Sequence, residues 1–568
     1  MRNKGGNLLP VSVSVVAVLV IFAIMLGVFA LSFIQGLPGV EYSVGLGNFR
    51  AVLADAAAID ILLNTVIVGV GTVLLNLFFA LPMAWLFFRT NMPLKTMLLG
   101  FIGTGIAIPS FLKAMGWIIL LSPQVGVINA LLMRLFNLNE APISIYGLTG
   151  VILVQGLMLT PVMFFLIAGA MQRIDPSLEE AAESCGTPRL GIIRRITGPL
   201  LLPAISGAAL YNFMLAVHIY EVPAILAIPA HVEVISTVIF QTVMQPDAGL
   251  PRYGVAAVYG LMLVFPLLVA LRAYLRVMQE GFKYGVITGK GYRPKLIDLG
   301  GLKYLGLAFV LLYVLLAFVL PFAALVWCSL LPFLRVPSME ALSALNLDSY
   351  RHLYMALGGF KPIVNSALLM AGAPALALFI SLMISWVLVR LHHQGGQILD
   401  TIVMLPMAVP GVVVGVVTLY LVLQFVQPLH GTLWLLIFVQ GITMITYGTR
   451  IMNAALVQVH RELEEAAYVS GAKPTRILRT IVAPLIAPSL LLGGFWMSMM
   501  AFRNVTLALL LYSPENVVVS VRIWVLWREQ SSMGAALGVV VVVALFAYVV
   551  ALQKLAGKQS GLYALTGA

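Results

Sequence analysis

Apolar runs of about twenty residues recur along the chain, broken by short stretches rich in Arg, Lys, Gly and Pro. Within the runs the apolar positions are continuous rather than alternating in steps of two, which predicts helices and not barrel strands. Twelve runs are centred near Leu19, Leu75, Ala107, Val162, Leu210, Met262, Leu316, Pro374, Val412, Phe438, Gly493 and Val543. About 20 apolar residues suffice for a helix to cross the hydrocarbon of a bilayer. The expected fold class is therefore an all-α polytopic membrane protein with about 12 transmembrane helices.

Composition removes the soluble alternatives. Of 568 residues, 61% are hydrophobic and 10% charged, against about 25% charged in a soluble domain. The net charge of +12 does not imply a nucleic-acid partner, because in a membrane chain the placement of Lys and Arg matters more than their sum. Most of the 33 Lys and Arg fall on one side if both termini share that side, which predicts cytoplasmic termini. Cys185 lies in a polar loop and Cys328 in an apolar run, so no disulfide framework is expected. The run from Leu9 to Phe33 is too long for a cleaved signal and is expected to stay as a first helix.

The two halves repeat. Asn64, Trp85 and Pro109 recur 301 positions later as Asn365, Trp386 and Pro410. Gln155, Gly156, Glu180, Gly186, Pro199, Pro203 and Pro229 recur 285 positions later as Gln440, Gly441, Glu465, Gly471, Pro484, Pro488 and Pro514. The 16-residue difference places extra chain in the first half, between Ser122 and Tyr146. Six spans per half give tandem parallel six-helix repeats about an axis along the membrane normal. The boundaries expected are residues 1–280, a cytoplasmic linker at 281–302, and residues 303–568.

Each half carries one charged segment of the same design: EEAAESCGTPRLGIIRRITGPLLLP from Glu179, and EEAAYVSGAKPTRILRTIVAPLIAP from Glu464. Asp175–Pro176 is a helix start, since Asp caps free N–H groups and Pro needs no donor there. Glu179 and Glu180 suit the positive end of that helix, and Gly186 can take the left-handed conformation that ends it. A helix, a glycine elbow and a second helix are expected over 175–199 and again over 460–484. A loop lying on lipid headgroups would not need the same register twice; two matched elbows suit two matched partners.

This pattern resembles the coupling loop of permeases in binding-protein-dependent ABC importers. It is carried by Glu180, Ala181, Ala182, Gly186, Ile196 and Pro199, and by Glu465, Ala466, Ala467, Gly471, Ile481 and Pro484. The resemblance implies a fused, two-domain permease whose elbows seat in two copies of a cytoplasmic ABC ATPase, with a substrate-binding protein on the other side. It implies a multi-pass protein of the bacterial inner (plasma) membrane. YEVPAILAIPAHVEVISTVIF (Tyr220 to Phe240) and ITGKGYRPKLIDLG (Ile287 to Gly300) look like the ferric-iron uptake branch. Neighbouring branches take aminoethylphosphonate, sugar phosphates, thiamine or polyamines. Arg503-Asn504 stands where the iron branch commonly has Arg-Glu, which leaves the substrate open.

No catalytic residues, metal site or cofactor are expected on the chain itself; ATP and Mg would be used by the partner. GVITGKG (Gly285 to Gly291) has three residues between its first glycines, and Gly rather than Ser or Thr after Lys, so it is not a phosphate loop. His392-His393 suits a solvated turn better than a metal. His218, Tyr220, Glu221, Arg503 and Asn504, costly near the bilayer, are candidates for the translocation path. His218 and Arg503 occupy equivalent repeat positions. Asn64 and Asn365 are expected to bond between helices, and Pro109 and Pro410 to kink theirs. A secondary transporter would want carboxylates deep in its spans, which are scarce here, and a non-transporting scaffold would move no solute.

Overall fold

The computed structural model describes residues 8–40, 42–245, 249–281, 296–391 and 395–557. The Gly285–Gly291 turn, His392-His393, most of the 281–302 linker and both chain ends lie outside the described residues. Among the described residues, ten helices are long and apolar enough to cross a membrane, and two bent pairs raise the number to 12 if each pair is one span.

The principal helices of the first half are α1 (Leu8–Phe33), α2 (Ala58–Arg89), α3 (Lys95–Gly105), α4 (Ser110–Leu121) and α5 (Leu148–Met171). They continue with α6 (Pro176–Ser184), α7 (Gly198–His218), α8 (Glu221–Leu226), α9 (Ile235–Met244) and α10 (Tyr253–Gly281). The second half repeats the series. Its helices are α11 (Leu302–Ser329), α12 (Lys361–Leu391), α13 (Gly396–Ala408), α14 (Gly411–Phe425) and α15 (Leu433–Gln458). Then come α16 (Arg461–Val469), α17 (Ala483–Arg503), α18 (Val505–Leu510), α19 (Val519–Glu529) and α20 (Ser531–Gly557). Each helix of the second half thus stands ten labels after its counterpart.

Inside a bilayer, helices gain little from hiding apolar surface from lipid, so close packing at small residues has to hold them together. The α2–α5 and α12–α15 pairs show this at equivalent positions. A Cβ on Gly156 would fall 2.5 Å from Leu75 Cδ2, and one on Gly441 would fall 3.0 Å from Leu376 Cδ2. The expected bonds between helices are not made: Asn64 and Asn365 bond instead to carbonyls of the loops that precede the short helices Ile235–Met244 and Val519–Glu529. Asn64 Nδ2 donates to Glu233 O (3.1 Å), and Asn365 Nδ2 donates to Glu515 O (3.1 Å) and Val517 O (2.9 Å).

The prolines do more than kink. At Pro109 the axis between α3 and α4 turns by 101°, and at Pro410 the axis between α13 and α14 turns by 97°. Proline has no N–H and pushes the preceding residue out of the helical region; Val409 is extended, at φ −108° and ψ 114°. The two elements are broken spans, not bent ones.

The first spans are exchanged between halves. α1 packs against α10 of its own half but also against α12 and α14 of the other, and α11 packs against α20 and against α4. Glycines permit the crossings: a Cβ on Gly27 would fall 2.6 Å from Val417 Cγ1, and one on Gly116 would fall 2.5 Å from Pro321 O. The extra chain of the first half forms a short helix, Val127–Phe136, pinned by Asn129 to Leu121 O and Ile143 O at 3.0 and 2.7 Å.

The elbow helices α6 and α16 lie on one face. Ile297 N donates to Arg89 O (2.8 Å) and Asn91 N to Ile297 O (3.1 Å), tying the chain before α11 to the end of α2, beside α6. α11 then crosses to the far face, where Asn346 N meets Leu330 O at 2.9 Å and Tyr350 meets Ser329 at 2.7 Å. α12 crosses back and ends at the side of α16. Two crossings return the chain to the face it left.

Candidate functional site

Both elbows close in the same way. Gly186 has φ +78° and Gly471 φ +79°, the left-handed region that costs a side chain dearly. Thr187 N donates back to Ala182 O at 3.0 Å and Gly186 N to Glu183 O at 2.9 Å. Ala472 N donates to Ala467 O at 3.0 Å and Gly471 N to Tyr468 O at 3.0 Å. This pair of bonds satisfies the last carbonyls of a helix and turns the chain sharply. At the other end the Asp175 carboxylate accepts from Ser177 N at 2.9 Å, whereas His460 starts α16 with no side-chain cap. Beyond each elbow the chain enters its next span through one π-helical turn, Ile193–Thr197 and Leu478–Val482.

Ala181, Ala466 and Glu465 are exposed, as are both glycines, while Glu180, Ala182 and Ala467 are half-buried. The elbows also expose Leu178, Leu463, Tyr468 and Val469, the last at 91%. Exposed apolar side chains beside small alanines make a surface suited to a protein partner rather than to water.

Sequence reasoning missed what holds the elbows to the bundle. Arg89, at the end of α2, lies 3.5 Å from Glu179, and Arg390, at the end of α12, lies 2.8 Å from Glu464. Both arginines are buried, at 6% and 7% exposed. Each also donates to the carbonyls that end the preceding span. For Arg89 these are Met171 O (3.2 Å) and Ile174 O (3.4 Å), and for Arg390 Leu456 O (3.1 Å) and Val459 O (2.9 Å). Thr197, in the π-helical turn, donates to Glu179 at 2.8 Å. One guanidinium thus joins the second span, the fourth span and the elbow in each half. Burial raises the Glu464 carboxyl above the usual range, and Arg390 opposes that rise. The signal was present in the sequence: Arg89 and Arg390 obey the 301 offset, and Glu179 and Glu464 the 285 offset.

The path candidates converge where the halves meet. Thr506 Oγ1 donates to Glu221 Oε1 at 2.9 Å, with Glu221 buried at 7% exposed. Arg503 lies within electrostatic reach of Glu221 and of Lys113. His218, the counterpart of Arg503, sits beside the Ala408 backbone, next to the broken span of the other half. Asn504 is engaged within its own half, where its side chain caps α18 at Leu507 N (3.4 Å) and its carbonyl accepts from Gln440 Nε2 at 3.3 Å. Lys113 escaped the sequence analysis. It is 4% exposed, donates to Gly105 O at 2.9 Å, and lies 4.8 Å from the centre of the Phe318 ring. The carbonyl it reaches is one that the break at Pro109 leaves beside the end of α3.

On the face opposite the elbows, a cavity of about 680 Å³ opens above this belt. Tyr220 is in its wall, stacked on Phe240 at 4.4 Å and near Trp524 at 6.2 Å. Ala224 and Leu509, Phe240 and Val525, and Met244 and Glu529 line it in pairs 285 positions apart, so the cavity straddles the axis. On the elbow side of the belt, Tyr211 of α7 lies within electrostatic reach of Tyr447 of α15 across the halves, and its ring is tilted against that of Tyr274 at 6.1 Å. Cavity and polar belt follow one another along the axis.

A chain with this doubled geometry matches the family model of the binding-protein-dependent transport system inner membrane component twice, over residues 76–275 and 377–557. The chain belongs to this family. It is a multi-pass membrane protein built of two such components in tandem. Among its relatives, the ferric transport system permease protein FbpB of Actinobacillus pleuropneumoniae is 28% identical over 433 residues, covering 75% of this chain and 60% of the relative. An FbpB-named protein of Haemophilus influenzae is 27% identical over 433 residues, covering 75% of this chain and 65% of the relative. The chain therefore spans less than two thirds of the length of these two relatives. A Salmonella typhimurium permease named for 2-aminoethylphosphonate transport, PhnU, is 28% identical over 210 residues, or 36% of this chain and 72% of the relative.

Proposed function

We propose that this chain is the membrane-spanning subunit of an ATP-driven importer, with ferric iron as the solute and a binding protein as its source. The observation that carries the proposal is the pair of elbows on one face, each riveted to its bundle by a buried arginine. In this reading Glu180, Ala181, Ala182, Gly186, Glu465, Ala466, Ala467 and Gly471 meet two copies of a cytoplasmic ATPase, which alone binds ATP and Mg. The elbow face and both termini are cytoplasmic, and the binding protein docks over the cavity on the other face of a bacterial inner membrane.

The mechanism follows from the connections. Closing the ATPases draws the elbows together. Arg89 and Arg390 carry that displacement into the second and fourth spans of each half rather than into a flexible loop. The halves then rock about the axis on which Glu221 and Thr506 meet, and the Tyr211–Tyr447 pair parts in the state that releases solute inward. Such a cycle needs partners with different affinities for the two states, which is what biases the equilibrium.

Iron is favoured by the relatives named for ferric transport. A second solute class, phosphonates, is favoured by the relative named for 2-aminoethylphosphonate transport. The test is uptake into vesicles holding this chain, an ATPase and a binding protein encoded beside it. ATP- and binding-protein-dependent uptake of ferric iron is expected. Uptake driven by an ion gradient without ATP, or no uptake of any solute, would overturn the reading.

A further inference from the structure

The cavity opposite the elbows is walled for something larger and flatter than an ion. Six of its 19 lining residues are aromatic, Tyr146, Tyr220, Phe240, Tyr512, Trp524 and Trp527, against 10% of the whole chain. Three of the rings form a ladder. Tyr220 lies 4.4 Å from Phe240 with 26° between their planes, and 6.2 Å from Trp524 with 29° between theirs. Phe111 meets Trp524 at 6.4 Å and 70°, so that ring is held by two neighbours. Trp524 and Trp527 are only half-buried and Tyr512 is exposed, which leaves ring surface uncovered. The repeat does not account for these rings. The residues 285 positions from Tyr220, Phe240, Tyr512, Trp524 and Trp527 are Val505, Val525, Ala227, Ile239 and Thr242, none of them aromatic. Beside the tyrosine hydroxyls, the polar side chains of the wall are Gln245, Arg528 and Glu529. A bare ferric ion would find one carboxylate there, with an arginine next to it. Among the described residues no group of three or more His, Cys, Asp or Glu is placed to hold a metal ion. A space of about 680 Å³, lined by aromatic and apolar groups with a few polar ones, has the character of an organic-ligand site.

We propose that the cavity receives its solute through a flat aromatic ring, carried either by a free organic solute or by the ligand that chelates a ferric ion. The inference rests on the importer reading and names the chemical class of what enters. Trp524, Trp527 and Tyr512 set the preference, because the incoming ring stacks against them and extends the Phe240–Tyr220–Trp524 ladder. Paired rings gain free energy beyond the area they bury, and rigid aromatic side chains lose little freedom in making the contact. Arg528 and Glu529, both exposed, offer one charge of each sign to the substituents of the ring. The site therefore selects for shape before charge.

The test is equilibrium binding to the full chain in lipid nanodiscs, with no ATP and no partner subunit. The probes are ferric 2,3-dihydroxybenzoate, the same acid without iron, thiamine, ferric citrate and 2-aminoethylphosphonate. The first three carry a flat ring and the last two do not. A ring-bearing probe is expected to bind, and the aliphatic ones to bind roughly tenfold or more weakly. W524L and Y512L should each weaken binding of that probe on the order of tenfold, the scale of one lost stacking contact, and W524F should largely keep it. Y512L removes an exposed ring, so it tests the wall even if W524L fails to insert. Binding of dihydroxybenzoate only with its iron assigns the chelate; equal binding without iron, or binding of thiamine, assigns a free ring-bearing solute. Equal or tighter binding of ferric citrate or the phosphonate, no binding of any probe, or wild-type binding in both leucine variants would overturn the proposal. Ring-selective binding combined with failed ATP-driven uptake would sink the importer reading and leave this one standing. ATP-driven uptake of iron from citrate, undiminished in W524L and Y512L, would do the reverse.

Discussion

Thr506 donates a 2.9 Å hydrogen bond to Glu221, and the two residues are separated by 285 positions, the offset that relates the two halves. Residues at equivalent positions of a twofold repeat can touch only where the axis passes between them. This contact therefore marks the axis, and it does so with one acid where perfect symmetry would put two acids or two hydroxyls.

Exchanging the two side chains is the direct check. E221T leaves two hydroxyls facing one another, and T506E puts two carboxylates together out of water. The double variant E221T/T506E rebuilds the same pair with its members transposed. A double-mutant cycle on thermal unfolding of the purified chain should return a favourable coupling of about 1.5–3 kcal/mol, the range for a hydrogen bond to a charged group.

The Arg390–Glu464 rivet is expected to be the costlier one to break. Both partners are almost fully enclosed, at 7% and 8% exposed, and removing one member of such a pair costs about 3–5 kcal/mol. R390M should lower the unfolding temperature and abolish solute-stimulated ATP hydrolysis in the assembled complex. The R390M/E464M double variant should recover stability only in part, because Leu456 O and Val459 O also lose their donor.

Acidity should act on the same contact. Burial raises the native Glu464 carboxyl above its ordinary value, so the folded chain binds that proton more tightly than the unfolded chain does. The contribution of Glu464 to stability then falls as pH rises from the ordinary carboxyl value through the raised one, and is flat above it. Unfolding temperature against pH, wild type minus E464Q, should show that downward step, and an upward or absent step would contradict it.

Gly186 and Gly471 test the elbows. A Cβ at either position would have nothing within 4 Å, so crowding is not the issue; the positive φ is. G186A and G471A should each cost about 1–2 kcal/mol through the backbone alone. The double variant should insert normally and hydrolyse ATP with its partners, yet lose most coupled uptake. Full coupled uptake would show that the sharp turn is dispensable.

The Tyr211–Tyr447 pair gives a prediction about leakage. Y211F/Y447F removes both hydroxyls with little loss of volume and should leave passive solute flux low. Y211A/Y447A removes both rings where the halves meet and should raise flux down a gradient in vesicles without ATP. Unchanged flux in the alanine pair would place the closure elsewhere.

The fold was legible in the sequence wherever a physical rule acts on neighbouring positions. Span length, the Asp175-capped first elbow helix, the glycine turns and the two offsets are all local or arithmetical. His218, Glu221 and Arg503 stood out in the sequence because charge near a bilayer is conspicuous. What stayed hidden depends on how distant segments meet. Arg89 and Arg390 looked like ordinary loop charges at the ends of spans, and only the folded elbow shows them enclosed. Lys113 sits in an apolar run of no evident design until the right-angled break at Pro109 brings Gly105 O to its ammonium. That break itself looked like a kink, since a proline in sequence does not state its angle. Tyr211 and Tyr447 are neighbours because the halves dock, and neither helix alone foretells it.

The crossing of α1 and α11 between the halves has a consequence for how the molecule is made. A ribosome delivers α1 well before the surfaces that cover its far side, on α12 and α14, which emerge more than three hundred residues later. α1 must therefore wait in lipid, its flank at Gly27 unfilled, until the second half has been threaded into the bilayer. Neither half can finish its own assembly alone. A single polypeptide guarantees that the late arrival is always on hand, in equal number and in the right orientation.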